Sequence, residues 1–306
     1  MRGYYISMKG LIPIKHQMAG QAAVLATACL WSTAGFTFKL LPWHPVIIAG
    51  SRCLLAGIFL FVVRIIIPPP KIVKSDPFSL WASALAYSLA MITFIAANKL
   101  TTSANAVMLQ YSAPVWAALL GWLLIKEKPY WEHWGALVLI IFGLLLFFRD
   151  SLGSGAFLGD SIAVISGVLF GAQSVFMRMM KDGNPRDAFL LAHIITFFIS
   201  IPFFFLYPPV LTTVMILPVL YMGLIQIGLA SLLFSYGIKR ISAVKAMLTA
   251  IIEPVLNPLW VLLLTGEKPT VSAIAGGIII ISAVVTSSVI GKRREELLSR
   301  IAKAHS

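Results

Sequence analysis

Long apolar runs alternate with short polar ones along the chain. Ten runs can be drawn, near residues 20–41, 45–67, 77–98, 102–125, 131–148, 157–180, 187–207, 214–238, 243–264 and 271–290. Each ends at charges, proline or glycine. None alternates residue by residue as a barrel strand does. Backbone groups in lipid must bond internally, so each run predicts a helix. Between Ala188 and Ile238 there is no Asp, Glu, Lys or Arg. That is too long for one crossing of roughly 20 residues, and Tyr207-Pro208-Pro209 is the natural break.

Composition sharpens this pattern. The 306 residues are 59% hydrophobic and 11% charged, with a mean hydropathy of +0.92. A soluble domain is nearer half apolar and a quarter charged; a lipid bilayer can cover the excess. The net charge of +13 comes from bases at the ends of runs, not from a patch interleaved with aromatics, so no nucleic-acid partner is implied. With the N-terminus inside, the inner segments hold 19 Lys and Arg and the outer ones 4, Lys39, Lys99, Arg149 and Lys268, leaving Arg52 within a run. This bias predicts both termini inside and an even number of spans. Trp43, Trp81, Trp131 and Trp134 fall near run ends, as interfacial aromatics do. Arg2, Lys9 and Lys15 precede the first run as in a signal peptide, but so many runs follow that the first reads as a retained span. Cys29 and Cys53 show no metal or redox spacing and read as small buried thiols.

The chain repeats itself. Residues 99–129, KLTTSANAVMLQYSAPVWAALLGWLLIKEKP, align without a gap on 239–269, KRISAVKAMLTAIIEPVLNPLWVLLLTGEKP, at a shift of 140. Pro114-Val115 meets Pro254-Val255, and Glu127-Lys128-Pro129 meets Glu267-Lys268-Pro269. Two five-span halves follow. Five is odd, so the second half enters from the opposite side. The expected fold is therefore all-α integral membrane, ten transmembrane helices as two inverted five-helix repeats. The halves are 20–148 and 157–290, between a cytoplasmic tail at 1–19 and a basic one at 291–306. Two halves of opposite orientation have two nearly equivalent packings, one open to each side, which is the geometry of a carrier.

The paired halves, LWSTAGFTFKLL in the first run, Arg52 in the second, and the fourth and ninth runs passing through APV and EPV to EKP before helices holding Gly135 and Gly276 resemble the drug/metabolite transporter superfamily, specifically its EamA-type ten-helix permeases. The resemblance covers about 20–290. It implies export of amino acids, other small metabolites or drugs, through a cavity lined by helices 1, 3, 4, 6, 8 and 9. Relatives that exchange phosphates use basic cavity residues; Lys245 is the candidate here.

Candidate chemistry centres on IIEPVLNPLW, 251–260. An acid near mid-membrane costs about 2.5–3.5 kcal/mol on insertion scales and normally faces protein or water. Pro114, Pro254 and Pro258 each remove a helical hydrogen bond and are expected to kink their helices. Glu253 and Asn257 are four apart and share a face. Two readings stay open: Glu253 binds a substrate amine or cycles a proton, or it bonds structurally to the fourth span. Gln110, Tyr111, Gln173, Gln226, Trp31 and Tyr87 are the other substrate-binding or coupling candidates, each also readable as packing. His193 reads as structural. Arg52 reads mainly as an anchor that snorkels toward the outer interface. The EKP charges read as loop-to-loop locks, and the tail as an inner-leaflet segment.

The expected activity is secondary export of small organic metabolites, amino acids or related amphipathic compounds, across a prokaryotic cytoplasmic membrane by alternating access. Proton-coupled efflux of hydrophobic cationic drugs is the alternative, with uptake or exchange of a metabolite behind it. No cofactor or metal is implied. GxxxxGK[ST] does not occur, so ATP-driven pumping is not indicated. An intramembrane enzyme needs clustered His, Asp, Glu or Cys, and a channel needs a polar ring; the runs offer neither. Partners are a small-molecule substrate, the bilayer and, through apolar faces, a second copy in a homodimer.

Overall fold

The computed structural model describes residues 14–68, 76–101, 103–151, 157–265 and 271–304. The second EKP, at 267–269, and the first thirteen residues with Arg2 and Lys9 lie outside them. Helices cover nearly all of the described chain: α1 Ile14–Trp31, α2 Ala34–Lys39, α3 Pro45–Ile66, α4 Pro77–Leu100, α5 Ser103–Gln110, α6 Ala113–Ile125, α7 Trp131–Ser151, α8 Phe157–Met179, α9 Arg186–Leu206, α10 Thr213–Leu220, α11 Ala230–Ile238, α12 Ala243–Ala250, α13 Ile252–Thr265 and α14 Val271–Ala304. A π-helical stretch, Tyr221–Leu229, joins α10 to α11. Six described segments are long and apolar enough to cross a membrane: Pro45–Ile66, Pro77–Leu100, Phe157–Met179, Arg186–Leu206, Thr213–Ile238 and Ile274–Gly291. Ala113–Ile125 and Trp131–Gly143 are shorter apolar helices. The protein is an all-helical integral membrane protein among its described residues.

Local sequence sets the helix starts. Pro45 and Pro77 stand at the first helical positions of α3 and α4, where the missing N–H costs nothing. His44 Nδ1 accepts from the Val46 N–H at 3.3 Å, and Asp76 Oδ2 from the Ser79 N–H at 2.9 Å. Ser242 Oγ accepts from the Lys245 N–H at 3.3 Å and opens α12. α6 ends at Lys126 in the left-handed region, φ 58°; this lets the Glu127 N–H reach back to the Gly121 carbonyl at 3.1 Å.

Three apolar runs are interrupted. The first breaks at Ser32-Thr33, where Ser32 Oγ donates to the Cys29 carbonyl at 2.7 Å and Thr33 Oγ1 to that of Leu30 at 2.8 Å; such side-chain bonds compete with the helical ladder. The fourth breaks at Tyr111-Ser112 and the ninth at Ile251. α5 and α12 begin at 103 and 243 and end at 110 and 250, each a shift of 140. Pro114 and Pro254 follow the two breaks within a turn, whereas Pro258 lies inside α13, which runs unbroken past it. The side chain of Pro258 is outside those described.

α4 packs on α8 and α9, α3 on α9, α1 on α11, α6 on α8 and α7 on α14. Glycine permits close approach: a Cβ at Gly167 on α8 would sit 2.7 Å from the Gln110 carbonyl oxygen, at the α5–α6 break. α14 runs on past 290 to Ala304, because nothing in KRREELLSRIAKA stops a helix. There Arg294 Nε pairs with Glu132 Oε1 at 2.8 Å, fastening the basic end to the start of α7. Trp81, Trp131 and Trp134 are exposed, but Trp43 is buried and donates to the Val210 carbonyl at 3.0 Å, tying two connections together rather than facing an interface. Cys53 is buried and Cys29 exposed.

Candidate functional site

An interior cavity of about 50 Å³, counted as space open to the centre of a water molecule, lies where α1, α2, α3, α4, α5, α8, the π stretch and α13 meet. A water needs about 10–15 Å³ on this measure, so the room is for a few waters or one small group. Its polar lining is Arg52, Tyr87, Gln110, Gln226 and Glu253; Trp31, Met91, Phe94, Phe170 and Ile227 make most of the apolar wall. The most exposed lining residue, Gln110, shows only 8% of its surface.

Proline creates the chemistry at one wall. Pro254 has no N–H, so the Ala250 carbonyl lacks its helical donor. The Tyr111 hydroxyl, at the other break, lies 3.0 Å from that carbonyl and also bonds Glu253 Oε2. One hydroxyl has one proton. With the carboxyl protonated, Glu253 donates to Tyr111 and Tyr111 to Ala250, and each acceptor is satisfied. With the carboxyl ionised, two acceptors share one donor.

Another part of the lining is cationic. Arg52 is 4% exposed. Its Nη1 donates to Gln226 Oε1 at 3.3 Å, and its carbon stands 4.9 Å from the centre of the Phe38 ring. Gln226 Nε2 donates in turn to Thr33 Oγ1 at 2.9 Å and Thr37 Oγ1 at 3.1 Å, at the first-run break. The π stretch widens the turn there, a feature common at functional sites. Among the described residues no carboxylate is in ion-pair range of Arg52.

The structure thus brings Glu253, Gln110, Gln226, Trp31 and Tyr87 to one cavity, with Tyr111 bonded behind Glu253. Gln110 Nε2 also donates to Ser166 Oγ at 2.8 Å. Gln173 and Asn257 are elsewhere. Gln173 bonds Met177 and Ser174 on its own helix; Asn257 is buried with its Nδ2 unpartnered among the described residues. Arg52 corrects the expectation of an interfacial anchor, and it, not Lys245, is the basic lining residue; Lys245 Nζ reaches Gln17 at 3.4 Å. α3 holds no acid that could pair with Arg52, but the run alone does not show which neighbours on other helices its side chain meets. The second run joins the lining implied for the other helices. His193 is buried, 3.2 Å from Ser231 Oγ.

Membrane-length helices surround a charged interior cavity, and the family match assigns the protein to the membrane transporters. The chain belongs to the EamA-like transporter family, whose sequence profile matches residues 18–149 and again 157–289. It is 27% identical over 278 residues to YwfM of Bacillus subtilis (strain 168), described as an uncharacterized transporter, covering 85% of this chain and 92% of that one. A solved crystal structure with 17% identity has the same fold, with a TM-score of 0.73 over 91% of this chain and 99% of the other.

Proposed function

We propose that the protein is a ten-helix secondary transporter of two inverted five-helix repeats, exporting small organic metabolites from a prokaryotic cytoplasm by alternating access. The supporting observation is the cavity itself, whose lining comes from both halves: Arg52, Tyr87 and Gln110 from the first, Phe170, Gln226 and Glu253 from the second. Counting each interrupted run as one crossing gives ten. The family profile matching twice and the breaks recurring at a shift of 140 support the repeat. Opposite entry of the halves follows from the odd span count.

Three ion pairs, Arg64–Asp187, Arg178–Glu127 and Arg294–Glu132, sit on segments that the Lys and Arg bias assigns to the inside. They tie that end together, and their release is the inward-opening step. Amino acids or related amphipathic compounds suit a mostly apolar chamber with a few charged groups. The always-charged Arg52 disfavours the cationic-drug alternative. Glu253 carries the coupling proton: taking it up completes the Tyr111–Ala250 chain, losing it leaves a carboxylate for an entering group.

The test is uptake by proteoliposomes of a labelled amino-acid and cationic-drug panel at several pH gradients, wild type beside Glu253→Gln. The expected result is saturable flux, with the variant losing gradient-driven flux but keeping exchange. Equal gradient-driven flux in the two would remove Glu253 from coupling; current without saturation would make the protein a channel.

A further inference from the structure

We propose that Arg52 and Trp31 form an anion-binding subsite in the interior cavity, and that the transported solute carries a carboxylate on a small apolar body. The proposal rests on the transporter reading above and narrows its substrate class.

Two buried donors carry the argument. Arg52 Nε and Trp31 Nε1 have no hydrogen-bond partner among the described residues, and both side chains line the same cavity. A buried donor left unpaired is costly, more so when charged, so such groups are retained where something accepts from them. Arg52 already gives Nη1 to Gln226, at a long 3.3 Å. Gln226 is held from behind by Thr33 and Thr37, so its oxygen is fixed toward the guanidinium. It orients Arg52 without neutralising it. A guanidinium stays charged, and its fork matches a carboxylate.

The remaining lining decides the rest of the ligand. Met91, Phe94, Phe170 and Ile227 offer aliphatic and aromatic surface and no charge. A solute bearing only a positive charge would face Arg52 across a low-dielectric space, a repulsion no other lining group screens except Glu253. Glu253 itself is engaged by Tyr111. A carboxylate at Arg52 is therefore required of the solute, whereas an ammonium at Glu253 is optional. α-Amino acids and ammonium-free carboxylic acids both meet the requirement.

Three labelled probes sharing one apolar body separate these chemistries: L-leucine, 4-methyl-2-oxopentanoate and 3-methylbutylamine. Each is measured in proteoliposomes with wild type, Arg52→Gln, Arg52→Lys and Gln226→Glu, with thermal unfolding in detergent reporting which variants fold. The expected wild-type result is saturable flux of at least one carboxylate probe, inhibited by the other, and none of the amine. Arg52→Gln is expected to lower kcat/KM for the carboxylates by about tenfold or more, the scale of one charge-assisted hydrogen bond. Arg52→Lys keeps the charge without the fork and falls between. Gln226→Glu leaves Arg52 in place and gives it an internal carboxylate, so it must block the carboxylate probes; this arm decides the question where Arg52→Gln does not fold.

Folded Arg52→Gln or Gln226→Glu protein that carries the carboxylates like wild type overturns the subsite. Saturable amine flux as fast as the acids overturns it while leaving the carrier reading intact. Absence of saturable flux with all three probes overturns the subsite, and the wider panel then shows separately whether the carrier reading falls with it.

Discussion

Tyr111 has one hydroxyl proton and two neighbours that accept it, the Ala250 carbonyl released by Pro254 and the Glu253 carboxyl. Tyr111→Phe keeps the ring and removes that donor. Both acceptors are buried, so the loss should cost about 1–3 kcal/mol. Thermal unfolding in detergent should fall accordingly, and the pH dependence of transport should change; an unchanged profile would disconnect the pair from coupling. Asp76 offers a pH test at the surface. Hydrogen bonds from the Ser79 hydroxyl and N–H hold its carboxyl below the usual carboxylate range. A depressed folded value favours the ionised cap, so its stabilisation is complete above the unfolded value of about 3.9 and is lost as pH falls through the folded one. Amide protection in the first turn of α4, taken relative to the intrinsic exchange rate at each pH, should therefore be flat from neutral pH down to mildly acidic pH and fall only in acid. Asp76→Ala should show low protection throughout.

At the scale of elements, the loop after α6 locks Glu127 of the first EKP to the last turn of α8, a helix and not the second loop that was expected. The left-handed Lys126 turns Glu127 toward Arg178, 2.8 Å away, and Arg178 also donates to the Ile238 carbonyl at 2.9 Å. That joins the end of α6 to those of α8 and α11, across the two halves. Arg178 is 8% exposed and Glu127 26%, so the pair is worth about 1 kcal/mol, roughly fivefold in a two-state population. Glu127→Gln should widen the distance between spin labels at Lys128→Cys and Lys181→Cys in a population of that size; an unchanged distribution would make the contact a passive one. The apolar runs were readable because lipid demands continuous helices. The break at Ser32-Thr33 was not, since no proline marks it and hydroxyls bonding their own backbone leave no periodic trace. The position of Arg52 was hidden for a related reason. Run length gives depth along a helix, but lateral packing decides whether a side chain meets lipid, a headgroup or a cavity.

The molecule as a whole is built around two broken helices that meet. The α5–α6 break supplies Tyr111, and the α12–α13 break supplies the carbonyl and the acid that it holds. A continuous helix would be stiffer at both places, since each proline removes a backbone bond. Discontinuous membrane helices flank binding sites in carriers because half-helices can tilt separately about a fixed site. Pro254→Ala returns the N–H and removes the bar to joining α12 with α13. If the break is the hinge of alternating access, the variant should unfold at a higher temperature yet turn over more slowly, the usual exchange of activity for stability. Counterflow should slow along with net flux, because both need the cavity to change sides. A variant that is more stable and equally fast would make the break a packing feature around Tyr111, and the motion would have to lie in the contacts between α3, α4, α8 and α9. A slower variant with lowered stability would mean that Tyr111 had lost its carbonyl without a helix forming in exchange, and amide protection across 250–254 would separate that case from the hinge.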